Sequence, residues 1–404
     1  MEKRISALLL LLLVATACGS ATPVATPVPA TAVSLPTSTL TLPAPVPQTP
    51  SVSPTQTPPS VPTALVNYPP AGYGPSNFPA EVDPLTGLPV ADPALLNRRP
   101  LAIKVSNLPR EVRPQWGLSL ADIVFDYYTE AGGTRFIAIY LGQDAKMVGP
   151  IRSARFFDAH VVRGYKAVFT FGGAWVDVLN RLYMSEFANR LVVEEPGTPL
   201  YRYDPNGAND LVVNTADLST YATQKGIDNI RQNLNGMSFQ LQPPPGGQAV
   251  NRIYVRFASA TYNRFDYDPA SGRYLRFEDT ADDPSNGNAE HFAQLTDQLT
   301  GQPVAFDNLV VLNVSNKYYK HAHEGSNEVL DIQFSGLGTG YAFRDGQVYK
   351  VNWVREDTGV VYLTLPDDGG HYAFKPGTTC FEIIGLNSNL KQTPQAWRFT
   401  FHAP

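Results

Sequence analysis

"QLQPPPGGQA", residues 240–249, divides the chain. Successive prolines followed by paired glycines end any regular element. Before this break, strand-like runs alternate with helical ones: "LAIKVS" (101–106), "DIVFDYYT" (122–129), "TRFIAIYL" (134–141) and "KAVFTFGG" (166–173) read as strands. "SARFFDAHVVRGY", "AWVDVLNRLYM" and "ADLSTYATQKG" read as helices. After the break, short alternating runs recur between turn residues, among them "RIYVRF", "YNRFDYD", "NLVVLNV", "GYAFRDGQVYKVNWV", "TCFEII" and "WRFTF". Their spacing predicts strands, and Asp-Gly in "RDGQ" predicts a hairpin turn. The expected fold is α+β, with an α/β subdomain over 81–239 and a β-rich subdomain over 250–404. The chain shows no heptads, and no internal repeats are read in it.

The N-terminus sets the expected compartment. Lys3 and Arg4 precede an apolar run from Ile5 to Ala17, too short to span a bilayer and suited to a signal peptide, residues 1–17. "ATAC" (15–18) resembles the lipobox of bacterial lipoproteins, in which the cysteine is acylated; simple cleavage after Ala17 is the alternative. Lipidation at Cys18 would anchor the protein extracytoplasmically to the cell membrane. No charged residue occurs from Ile5 to Ala80. The Pro/Thr-rich composition there predicts a disordered stalk over 18–80. Cys380 is the only other cysteine, so the mature chain has no intramolecular disulfide. Its place in "CFEII" predicts a buried, unreactive thiol. The mild net charge of -5 gives no reason to expect a nucleic-acid partner.

"GPIRSARFF" (149–157) carries the candidate site. Gly-Pro marks a turn and a helix follows, so Arg152, Ser153 and Arg155 fall at a strand-to-helix junction. Helix N-termini attract anions and disfavour cations, so these arginines require an anionic partner. In "DIVFDYYTE", alternation places Asp122, Asp126 and Glu130 on one face. If the next strand pairs back, Arg135 comes near Glu130. Two readings stay open: ion pairs between these arginines and Asp126 or Glu130, or an anion-binding site at Arg135, Arg152, Ser153 and Arg155. From Arg98 to Arg113 there are five basic residues against one acidic, which favours an anion.

"DPLTGLPV", "RPLAIKVSN", "RPQWGLSLADIVFD", "EAGGTRFIAIY", "VGPIRSAR" and "LDIQFSGLGTGYAFRDGQVYKVNW" resemble the YerB-like lipoproteins over roughly Glu81 to Ile384. That family has a two-part domain of unknown function, so the resemblance implies a lipoprotein with N- and C-terminal parts and supplies no reaction. The strand, arginine-bearing turn, helix and "TFGG" are similar in outline to the LytR-CpsA-Psr enzymes, which act on polyprenyl-pyrophosphate-linked glycans.

Other constellations carry less. Ser153 and His160 share a helical face but lack a third member of a triad. His321 and His323 in "HAHE" make at most half a zinc site, so no metal or other cofactor is expected. The expected function is non-catalytic binding or scaffolding in the cell envelope, with an unknown protein, glycan or lipid-linked partner. The alternative is an envelope enzyme or binder acting on a phosphorylated ligand at the arginines.

Overall fold

The computed structural model describes residues 67–204, 207–321 and 328–404. The signal peptide, Cys18, the stalk through residue 66 and His323 lie outside the described residues. The described residues include 67–80, the last part of the expected stalk. Tyr68 is buried, its ring lies 5.0 Å from that of Tyr73, and Tyr73 bridges to Phe239. These aromatics bury apolar area against the folded part.

The N-terminal part contains β1 (Leu101–Ser106), β2 (Ile123–Tyr128), β3 (Thr134–Tyr140), α1 (Phe156–Tyr165), β4 (Val168–Phe171), α2 (Val176–Tyr183), β5 (Leu191–Val193) and α3 (Thr215–Gln224). Its strands lie in the order β2-β3-β1-β4-β5 within an eleven-stranded mixed sheet. The strands 308–314, 336–344, 347–355, 362–364 and 379–385 continue that sheet beyond β2. The join is a parallel pairing of β2 with 379–385, in which Asp126 stands opposite Glu382. Both parts therefore build one sheet, and the break at 240–249 separates sequence textures rather than sheets. The N-terminal part leaves the β2 edge unpaired, and a strand of the C-terminal part fills it.

A seven-stranded sheet formed after the break packs on one face of the main sheet. Its strands include 252–256, 262–268 and 273–279, and the C-terminal tail adds two more, 389–392 and 397–400. Helix α1 covers the other face, where Phe157 and Tyr165 meet Phe125. Hence β2 is buried on both faces, as its near-continuous apolar run requires. The fold is α+β and strongly β-rich. In the "RDGQ" hairpin both Asp345 and Gly346 have positive φ, 53° and 71°, the geometry that suits the twist of paired strands.

One repeat is present after all. "DPLTGLPVA" (83–91) and "DQLTGQPVA" (297–305) share seven of nine residues. Their backbones match bond for bond. Leu85 N donates to Asp83 Oδ1 and Leu299 N to Asp297 Oδ1, each at 2.8 Å. Gly87 N donates to the Asp83 carbonyl and Gly301 N to that of Asp297, again each at 2.8 Å. A long strand follows each turn, β1 or 308–314, and pairs antiparallel on one side and parallel on the other. The two turns differ in the far carboxylate oxygen. Asp297 Oδ2 accepts from Ser119 N at 2.7 Å, whereas Asp83 Oδ2 is buried without a hydrogen-bond partner.

Candidate functional site

Strands β1, β2 and β4 run in one direction, and the candidate residues gather at their carboxyl ends. Ile151 bridges to Val105 of β1, Arg152 N donates to the Lys104 carbonyl, and Gly172 N donates to the Arg152 carbonyl. This places "RSAR" across the ends of β1 and β4. In open α/β sheets that location commonly holds ligands. Arg155 is the N-cap of α1, and Asp158 in the first turn accepts its backbone N–H at 2.7 Å.

The arginines divide by partner. Arg155 Nε donates to Glu130 Oε2 at 2.5 Å, and a second guanidinium nitrogen pairs with Glu130 Oε1. Arg135 donates to the Ser153 carbonyl at 2.7 Å and lies 3.5 Å from Glu130. Arg152 is different. Among the described residues its guanidinium makes one hydrogen bond, 3.4 Å to the hydroxyl of Ser106, and no ion pair. Burial, then the positive charges of Arg135 and Arg202, lower its pKa from the ordinary arginine value.

Asp126 is not part of this group. Alternation sends it to the opposite face of the sheet, where Arg276 pairs with it, with Glu278 Oε1 at 2.5 Å and with Glu382 Oε1 at 2.7 Å. Glu130 escapes the alternation because β2 ends at Tyr128 and Glu130 sits in the following turn, where Ala131 and Gly132 have positive φ.

A buried triad lies beneath the arginines. Lys104 Nζ is 3.1 Å from Asp158 Oδ1 and bonds the Tyr127 hydroxyl, which donates to the same carboxylate oxygen at 2.6 Å. Burial outweighs the attraction of Asp158 and brings the Lys104 pKa down to about 7. Sequence reasoning passed over these residues, although a lysine inside the apolar strand "LAIKVS" was a visible signal.

Three depressions adjoin the group. A pocket of about 70 Å³ is lined by Arg152, Ser153, Arg202 and Asn209, with the carboxylates of Glu194 and Asp210 and the backbone of Gly172 also in its wall. Ser153 also borders a cleft of about 300 Å³ with Arg155, Trp175, Lys320 and Glu328. Glu130 joins that cleft to a third of about 440 Å³, bordered by Leu108, Arg110 and Arg135. Arg202 itself is committed to Glu194 and Asp210, each at 2.7 Å.

The remaining candidates stand elsewhere. His160 Nδ1 is 3.1 Å from an Arg355 guanidinium nitrogen, not paired with Ser153. Burial, reinforced by Arg355, brings the His160 pKa down to about 4, so the neutral ring accepts from the guanidinium. The Cys380 thiol is buried, and burial pushes its pKa up. His321 packs against Tyr318, ring centroids 4.3 Å apart.

Residues 85–228 match the family described as "Protein of unknown function (DUF3048) N-terminal domain", and residues 253–380 match the C-terminal domain of that family. The chain is 29% identical over 271 residues to "Putative lipoprotein YerB" of Bacillus subtilis, covering 65% of this chain and 74% of that protein. A crystal structure of Bacillus subtilis YerB matches with a TM-score of 0.61 at 25% identity, covering 75% of this chain and 96% of that one. With both domains present in order, the chain belongs to the DUF3048 family of YerB-like proteins, whose function is unknown.

Proposed function

We propose that the protein is an extracytoplasmic lipoprotein that binds an anionic ligand at Arg152 and does no chemistry on it. The lipoprotein reading rests on the apolar leader ending at Cys18 and on the name of its Bacillus relative. Binding rests on one observation: the half-buried Arg152 guanidinium faces a small polar pocket and has only a long bond to a hydroxyl. A half-buried guanidinium with two other arginines near it and no carboxylate of its own gains from an anion that accepts from its planar fork.

Binding is preferred to catalysis because the carboxylates beside the arginines are held in ion pairs. Glu130 is held by Arg155, Asp158 by Lys104, and Glu194 and Asp210 by Arg202. A carboxylate can act as a general base only when it is free to take a proton.

Calorimetric titration with inorganic phosphate and pyrophosphate tests the site. Binding should be measurable in the unsubstituted protein and lost in Arg152→Ala; no heat from either anion would rule the reading out. Anchoring has a separate test, since Cys18→Ala should move the protein from the membrane to the soluble fraction. Continued membrane association after signal-peptide removal would contradict the anchor.

A further inference from the structure

The pocket at Arg152 does not end at the anion. Ser153 forms part of its wall and part of the wall of the 300 Å³ cleft. Gly172 lines the pocket and Trp175, three residues on, lines the cleft. The Trp175 ring is 39% exposed. Its contacts with Phe156 and Tyr319 are edge-to-face, at 6.5 and 5.7 Å between centroids, which holds the ring in place while leaving area uncovered.

The polar groups around this ring are of both kinds. Glu328 Oε1 accepts from the Tyr128 hydroxyl, and among the described residues its other oxygen has no hydrogen-bond partner. Lys320 makes no hydrogen bond or ion pair among the described residues, and its ammonium is 5.8 Å from the Trp175 centroid. A flat apolar surface ringed by a donor, an acceptor and a hydroxyl suits a ligand with an apolar face and hydroxyls at its rim. An acyl chain would cover Lys320 and Glu328 without replacing their hydrogen bonds to water, at a cost.

Building on the anion reading of Arg152, we infer that the ligand is an acidic saccharide. Its phosphate or carboxylate meets Arg152, and the adjoining sugar ring lies on Trp175 with its hydroxyls toward Lys320, Glu328 and Ser153.

Calorimetry on the full chain, with inorganic phosphate, glucose, glucose 1-phosphate, glucuronate and uridine monophosphate, separates the parts. Glucose 1-phosphate or glucuronate should bind about fivefold to tenfold more tightly than phosphate, the range expected of one aromatic contact. Trp175→Ala should remove that gain and keep phosphate affinity, Trp175→Phe should keep much of the gain, and Arg152→Ala should abolish both. Equal affinity for phosphate and the sugar acids, or a gain that survives Trp175→Ala, overturns the saccharide inference and leaves the Arg152 reading standing. Tighter binding of the nucleotide than of either sugar acid also overturns it. Absence of binding by phosphate and pyrophosphate alike in the unsubstituted chain overturns the Arg152 reading itself.

Discussion

Arg276 meets Asp126 where the second sheet packs on the first, and neither side chain is exposed to solvent. The same guanidinium holds Glu278 and Glu382, so one cation serves three buried carboxyls drawn from both sequence halves. Removing it strands acids in an apolar interface. Arg276→Ala should destabilise the protein by about 3–5 kcal/mol, the range for breaking a buried pair. Urea denaturation followed by far-ultraviolet circular dichroism checks this, and a loss below about 1 kcal/mol would show that the network relaxes or admits water.

The pH dependence of stability should trace to Glu382. Burial, then the neighbouring charge of Asp126, raises its pKa from 4.5 to about 8. The folded state therefore holds a proton that the unfolded chain has released, and stability falls as pH rises across that interval. This contribution is fully present below about 4.5 and is lost as pH rises through about 8. Glu382→Gln keeps the shape without the titration. Its melting temperature relative to the unsubstituted protein should rise between pH 5 and pH 9; a constant difference would exclude Glu382 as the source.

The twin turns supply an internal control. Asp297 accepts from Gly117 N at 2.9 Å, Leu299 N at 2.8 Å and Ser119 N at 2.7 Å. Asp297→Asn loses an acceptor and orphans a backbone donor, so it should cost about 1–3 kcal/mol. Asp83 has one backbone donor, and burial followed by the charge of Asp122 raises its pKa well above the ordinary range. Burial likewise brings Asp122 up to about 6. The gain in melting temperature from Asp83→Asn should be larger at pH 8 than at pH 5, because the folded state's extra proton costs more as pH rises above the unfolded carboxyl's range. Equal destabilisation by the two Asn variants would refute the distinction between the turns.

Arg155 and Arg152 should part company in a thermal melt. Arg155→Ala leaves Glu130 without its two-point partner at the start of α1 and should cost about 1–3 kcal/mol. Arg152→Ala removes one weak bond and some cation–cation repulsion, so its effect should stay within about 0.5 kcal/mol. If Arg152→Ala is the more destabilising of the two, the anion site loses its basis.

Much of this was visible in the sequence because the relevant signals are local. Alternation located β2, β3 and the 336–355 hairpin, and Gly-Pro followed by a helical run placed Arg152, Ser153 and Arg155 at a strand-to-helix junction, without singling out Arg155 as the cap of α1. Long-range choices were not visible. Nothing near Asp126 announces that its partner is Arg276, because strand pairing across the break places them together. Extending alternation one turn too far put Glu130 and Asp126 on one face, although the strand had ended. Lys104 and Asp158 are far apart in sequence, and only the packing of α1 on β1 and β2 joins them. The repeated turn was legible but is interrupted by substitutions that hide it from a search for long periods.

The parallel join between β2 and 379–385 gives the protein an awkward birth. Residues 123–127 must wait for 379–383 before their outer edge is paired. Until then a hydrophobic strand with unmet backbone donors and acceptors stays open, a recognised route to aggregation. Pairing so distant in sequence also slows folding. An N-terminal part expressed alone would present that raw edge permanently, so the two parts are expected to be soluble only when produced together.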